Sequence, residues 1–234
     1  MWYQTKKHIT FVRCFSVVQI YKTCTTYYKS FENNIKTVLV AIIKYNAGNI
    51  YSVDYGLKRL GIEPVITADK EILQKADKII FPGQGEAGTT MQYLKEHQLD
   101  ELIKGLKQPV LGICIGMQLL CRFSEEGNTE CLGVFDVSVL KFQPEKQEDK
   151  VPLIGWNNMS NLKTDLYRGL SEGDFVYFVH SYYVLENKYT IATTEYIQKF
   201  SASMHKDNFY ATQFHPEKSG AVGEKILNNF LQIK

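Results

Sequence analysis

Gln108-Pro109-Val110-Leu111-Gly112-Ile113-Cys114-Ile115-Gly116-Met117-Gln118-Leu119-Leu120 reads as a buried strand, a one-residue turn and a helix, with the Cys114 thiol at the turn. Glycines at 112 and 116 let strand and helix approach closely while Cys114 takes a strained backbone conformation, the sequence form of a nucleophile elbow. A thiol at the start of a helix sits among free N–H groups and the positive end of the helix dipole, surroundings that suit a nucleophile. Taken alone, the stretch equally suits a cysteine that is a small core hydrophobe.

A second segment shifts that balance. In Tyr210-Ala211-Thr212-Gln213-Phe214-His215-Pro216-Glu217-Lys218-Ser219-Gly220, an extended run through the proline projects His215 and Glu217 from the same side, so the carboxylate orients the imidazole. Cys114, His215 and Glu217 then supply a nucleophile, its base and the group that holds the base.

Around these segments the chain alternates strand and helix patterns. Val38–Ile43 is an apolar, β-branched strand, followed by the turn Asn46-Ala47-Gly48-Asn49 and an amphipathic helix over Ile50–Leu60. Val65-Ile66, Asp77–Phe81 and Val110–Ile113 are further buried strands, with helical patterns at Glu71–Lys75, Thr89–Leu94 and Leu99–Leu106. Such alternation predicts a parallel sheet covered on both faces. Beyond the elbow, Gly133–Phe142, Ile154–Asn157, Phe175–Val184, Thr190–Glu195 and Ser201–Lys206 read as antiparallel additions, and Ala221–Leu231 as a closing helix. The strongest motifs all follow strands expected to be parallel, at whose carboxyl ends open sheets of this class place their sites.

The elbow, the Phe214-His215-Pro216-Glu217 run and Phe81-Pro82-Gly83-Gln84-Gly85 together resemble the triad-type (class I) glutamine amidotransferases. Gly155-Trp156-Asn157, Tyr177-Phe178-Val179-His180-Ser181-Tyr182-Tyr183 and Lys218-Ser219-Gly220 look like the branch that serves imidazole glycerol phosphate synthesis in histidine biosynthesis. The resemblance runs from about Val38 to the C-terminus. It implies a three-layer, flavodoxin-like α/β fold, an open and mostly parallel sheet with helices on both faces and antiparallel strand additions. It also implies glutamine hydrolysis through a thioester on Cys114, with His215 as acid and base and Glu217 holding it. By the same resemblance the oxyanion hole comes from Gly83, Gln84 and Ile115. Substrate is held by Gly85, Gln118, His180, Ser181 and Tyr182, with His180 more structural than catalytic. Asn49, Ser52, Trp156, Tyr177 and Lys218 face a partner, a (β/α)₈-barrel cyclase subunit that receives the ammonia in a heterodimer. No metal and no organic cofactor is implied. The first loop departs from many relatives, with Lys44 and Asn46 where Asp and Gly are common, and Gln84 replaces a smaller residue in the oxyanion strip.

Competing readings are an amidotransferase for anthranilate, aminodeoxychorismate or pyridoxal phosphate synthesis, a silent partner-binding subunit, and a γ-glutamyl peptidase. Gly155-Trp156-Asn157 and Val179-His180-Ser181-Tyr182 argue against the first, and an intact Cys114, His215 and Glu217 against the second.

Composition bounds the rest. A chain of 234 residues that is 44% hydrophobic buries the core of one α/β domain. Five cysteines, Cys14, Cys24, Cys114, Cys121 and Cys131, form an odd set without Cys-x-x-Cys spacing, which suits a reducing cytoplasm better than a disulfide framework or zinc site. No apolar run reaches the roughly 18 residues that a membrane span needs. In residues 1–36 six basic side chains face only Glu32, giving +5 there and leaving −3 of the +2 total to the rest. A basic excess confined to one end gives nucleic-acid binding little support. An organelle transit peptide fits the acid-poor residues 1–36 somewhat better than a secretory signal. By the family resemblance, in which the first strand starts at or near the initiator Met, residues 1–37 are expected to be a basic extension, poorly ordered or absent from the native protein, with translation starting at Val38, and residues 38–234 the amidotransferase domain.

Overall fold

The strand β1, Val40–Ile43, is buried on both sides, as a central parallel strand must be when helices cover each face. Its side chains alternate between two cores: Val40 and Ile42 belong to one, Ala41 and Ile43 to the other. The first core takes Val53 and Leu57 from helix α1 (Ile50–Arg59), while the second takes Leu73 from α2 (Lys70–Lys75). α2 starts at Asp69, whose carboxylate accepts from the N–H groups of Glu71 and Ile72. The second core also holds Met91 and Leu94 of α3 (Ala87–Glu96), Ile103 of α4 (Leu99–Gly105) and Met117 of α5 (Ile115–Leu120). Ile226, Leu227 and Phe230 of α6 (Gly220–Gln232) complete the first.

This computed structural model describes residues 38–45, 50–83 and 85–234. Leu39–Lys234 forms one compact unit. The expected basic extension over 1–37, the turn 46–49 and Gln84 lie outside the described residues.

With β2 (Val65–Thr67), β3 (Lys78–Phe81), β4 (Val110–Ile113), β5 (Cys121–Ser124), β6 (Thr129–Glu130), β7 (Phe135–Lys141), β8 (Leu153–Asn158), β9 (Phe175–His180), β10 (Tyr182–Tyr183), β11 (Thr190–Tyr196), β12 (Gln198–Lys206) and β13 (Phe209–Thr212), three sheets form. The main one has seven strands in the order β11-β12-β13-β4-β3-β1-β2. Its β13-β4-β3-β1-β2 part is parallel, and β12 and β11 add antiparallel at one edge. The expected three-layer, mostly parallel α/β architecture is therefore present. A four-stranded sheet, β10-β7-β5-β6, and the ribbon β8-β9 extend it.

The elbow helix α5 ends after Leu120, where the sequence reading ends it, and the chain goes straight into the unanticipated strand β5, in which Cys121 pairs with Phe135 of β7. Two local expectations need correction. The strand expected over Phe175–Val184 breaks at Ser181: β9 pairs with β8, whereas β10 pairs with β7. The segment at His215 is not extended through the proline. β13 stops at Thr212, and Pro216–Lys218 is a 3-10 turn with proline at its start, where a fixed φ and a missing N–H suit a helical turn.

Candidate active site

β4 and β13 run side by side and deliver Cys114 and the 213–219 segment to the same sheet end, with Cys114 N–H donating to Thr212 O at 2.7 Å. Cys114 has φ 53° and ψ −109°, a conformation costing a residue with a side chain about 1–3 kcal/mol. Close packing enforces it. A Cβ on Gly116 would lie 2.1 Å from Phe81 O, so β3 and the first turn of α5 touch backbone to backbone. The carbonyl of Cys114 accepts from Met117 and Gln118 N–H, while Ile115 N–H at the helix start has no such partner among the described residues.

His215 and Glu217 meet as expected, though across the 3-10 turn: Nδ1 to Oε1 is 2.8 Å, with both side chains 1% exposed. The other ring nitrogen, Nε2, is buried without a regular hydrogen bond to a described residue, and faces the Cys114 sulfur closely enough for the two to interact. Burial alone pushes the imidazole down, but the hydrogen bonds and charges of Cys114 and Glu217 prevail and carry it up to about 10. Cys114, His215 and Glu217 are thus one buried constellation.

The strip at Gly83, expected to form the oxyanion hole, lies across the elbow. A Cβ on Gly83 would fall 1.9 Å from Ile115 Cγ2 and 2.9 Å from Gly116 N, so the strip's backbone is pressed on the helix start. Tyr45, buried against Phe81, donates its hydroxyl proton to Pro82 O. Gly85 is exposed with φ 147°.

Of the residues expected to hold substrate, Gln118 is buried and its Nε2 donates to Tyr182 O and Gln213 Oε1, both at 3.0 Å. The same Tyr182 carbonyl lies 2.7 Å from His180 Nδ1. His180 is enclosed by Phe142, Phe178 and Phe200, and burial pushes it down to about 4, the Tyr182 bond opposing and the His215 charge adding to the effect. Nδ1–H of the neutral ring donates to that carbonyl. Ser181 lies between β9 and β10, its carbonyl accepting from Phe142 N–H.

Expected partner-facing residues lie elsewhere. Trp156 is 54% exposed on the outer face of the β8-β9 ribbon, beside Ile154 and Phe175, which are 62% and 53% exposed. Tyr177 packs edge-on against it with ring centroids 6.0 Å apart. Ser52 and Lys218 are half-buried, and Asn49 is outside the described residues.

Sequence reasoning missed Gln213, fully buried, whose Nε2 points at Cys114 Sγ from 3.8 Å. A polar residue in an otherwise apolar strand end, Thr212-Gln213-Phe214, was its only signal. It also missed the carboxylates of Glu126, Glu125 and Glu86, which follow burial in holding the Tyr182 hydroxyl above its usual range. Glu126 is itself raised by burial, against a 2.8 Å bond from Ala87 N–H and with the charge of Glu86 adding to the rise. Among the described residues no cluster of metal-ligating side chains exists.

The family model for class-I glutamine amidotransferases matches residues 27–233, starting upstream of the boundary expected at 38. The chain belongs to this family. Within it, the chain is 66% identical over 194 residues to "Imidazole glycerol phosphate synthase subunit HisH" of Bacteroides fragilis, covering 83% of this chain and 99% of that one. It is 42% identical to the protein of the same description from Colwellia psychrerythraea, covering 82% and 92%. Solved amidotransferase folds superpose as well. A putative GMP synthase subunit from Thermoplasma acidophilum gives a TM-score of 0.63 at 23% identity, covering 83% and 93%, and a glutamine amidotransferase gives 0.64 at 20%, covering 83% and 97%. At that identity these two speak to the amidotransferase fold alone.

Proposed function

We propose that this chain is the glutaminase subunit of an imidazole glycerol phosphate synthase, hydrolysing glutamine to glutamate and ammonia for histidine biosynthesis, with residues 38–234 as its amidotransferase domain. The reading is carried by one observation: a cysteine held at positive φ beside a buried imidazole that Glu217 grips at 2.8 Å. High identity to the HisH proteins along nearly their whole length supports the choice of branch.

In this reading Cys114 Sγ attacks the side-chain carboxamide carbon of glutamine as His215 Nε2 takes the thiol proton. The developing oxyanion meets the Ile115 N–H and, by the family resemblance, the strip at Gly83 and Gln84. The C–N bond breaks, His215 returns the proton to the departing ammonia, and a thioester remains. Water then attacks, giving its proton to His215; the C–S bond breaks, glutamate leaves and sulfur regains its proton. Gln118 and the segment at Gly85, Ser181 and Tyr182 hold the substrate, and the carboxylates around Tyr182 supply counter-charge for its ammonium. His180 braces that segment through the Tyr182 carbonyl.

The ammonia passes to a (β/α)₈-barrel cyclase bound as a heterodimer. Support for that surface is the exposed apolar face of the β8-β9 ribbon at Trp156, against which Tyr177 packs; Ser52, Lys218 and Asn49 belong to it by the family resemblance alone. The reading places the enzyme in the cytoplasm, where Cys114, Cys121 and Cys131, all free, stay reduced. No helix among the described residues is long and apolar enough to cross a membrane.

The test is glutamate release measured alone, with the cyclase, and with the cyclase plus its nucleotide ligand. Stimulation by both is expected. Equal turnover in all three excludes the partner, and no turnover in any excludes the enzyme.

A further inference from the structure

Ser219 stands at the start of α6, where a serine ordinarily accepts from the helix's own free N–H groups. It makes no such bond. Its hydroxyl, 1% exposed, instead joins the two segments that flank the site. Oγ accepts from Tyr177 N–H at 2.9 Å and donates to His215 O at 2.7 Å, while His215 N–H donates to Tyr177 O at 2.9 Å. The hydroxyl therefore closes a ring that ties the backbone of the base to β9.

The same strand reaches the nucleophile, since Val179 O is 3.9 Å from Cys114 Sγ. β9 thus holds His215 at one residue and borders Cys114 two residues further on. The turn is braced from the other side as well. Gly223 N–H donates to Ser219 O at 3.1 Å, and a Cβ on Gly223 would lie 1.9 Å from Pro216 O. Helix, turn and strand converge on this one hydroxyl.

We propose that Ser219 is a positioning residue that sets the His215 ring against the Cys114 sulfur by fastening the base's backbone to β9. It touches neither substrate nor reacting atoms, and the proposal rests on reading Cys114 and His215 as nucleophile and base. Removing the hydroxyl leaves His215 one hydrogen bond to β9 and leaves its carbonyl only the 3.0 Å bond from Lys218 N–H within its own turn, and small misplacements of a base are costly to rate.

The experiment compares wild type with Ser219→Ala and Ser219→Thr in complex with the cyclase. Ser219→Ala is expected to lower kcat for glutamine hydrolysis about tenfold with KM within about twofold, and Ser219→Thr, which keeps the hydroxyl, to retain most of kcat. A second arm needs no glutamine: the rate at which iodoacetamide alkylates Cys114 at neutral pH, followed by the mass of the Cys114 peptide. Ser219→Ala is expected to slow it about tenfold, because a displaced imidazole no longer assists the sulfur. A lower melting temperature with kcat and alkylation both unchanged reduces Ser219 to a structural cap and overturns the proposal. Equal loss of kcat in a folded Ser219→Thr overturns it too. Absence of glutamine turnover in wild type strikes the functional reading instead, and the alkylation arm still decides on Ser219.

Discussion

His180 and His215 are both buried, 6% and 1% exposed, yet their environments drive them in opposite directions. Around His180 lie the rings of Phe142, Phe178 and Phe200, and its one partner is a neutral carbonyl, so burial prevails and the ring stays uncharged. Around His215 burial acts in the same sense, but the Glu217 carboxylate and the Cys114 sulfur outweigh it. The depth of a histidine therefore says little about its charge; the groups that meet its two nitrogens decide.

The contrast breaks most sharply at the sulfur. Cys114→Ala is expected to abolish glutamine turnover by about a thousandfold or more while the protein still folds, as glutamate release and thermal melting will report. Next comes the carboxylate. Glu217→Gln keeps the size of the side chain but removes its charge, so His215 moves down toward the behaviour of His180. Turnover is expected to fall about 10²- to 10⁴-fold, with the limb of the kcat–pH profile that belongs to His215 shifted to lower pH.

Gly83→Pro leaves both histidines in place and attacks the strip. With 1.9 Å between its Cβ position and Ile115 Cγ2 and 2.9 Å to Gly116 N, a side chain there must displace the strip from the helix start, which the proposed mechanism uses to hold the oxyanion. A loss of about a hundredfold in kcat with an intact circular dichroism spectrum is expected.

The smallest effect is on stability, and its sign follows from the two shifts. His180 is lowered to about 4, so below its ordinary value near 6.5 the unfolded chain binds the extra proton and stability falls as pH falls. That limb amounts to about 3 kcal/mol by pH 4. His215 is raised to about 10, so its contribution is full below about 6.5 and is lost as pH rises toward 10. Urea denaturation across pH should place the optimum from this pair near 6.5. In His180→Phe the acid limb should flatten, the Tyr182 carbonyl keeping its bond from Gln118.

Much of the fold was legible because the cues were local. Val40–Ile43, Lys78–Phe81 and Val110–Ile113 are short apolar runs between helix patterns, and a strand covered on both faces needs nothing else. β5 was not legible, since Met117 through Cys121 is apolar at nearly every position and carries no period to mark where helix gives way to strand. The break at Ser181 was hidden for a related reason. Phe175–Val184 is uniformly strand-like, and only the choice of partner, β8 or β7, divides it. Within the site, Cys114 and His215 were visible through motif spacing, whereas Gln213, Tyr45 and Ser219 act through bonds to residues far away in the chain.

The sequence by itself determined the alternation of strands and helices, the elbow at Cys114 and the family, because each depends on neighbouring residue types or on a pattern shared with relatives. Tertiary structure alone decided which nitrogen of His215 meets which group, why His180 is neutral, and that the Ser219 hydroxyl bonds the backbone of His215 to that of Tyr177 in β9. Hydrogen-bond geometry and the loss of solvent are properties of the space between segments, and they come into being only when the chain closes on itself.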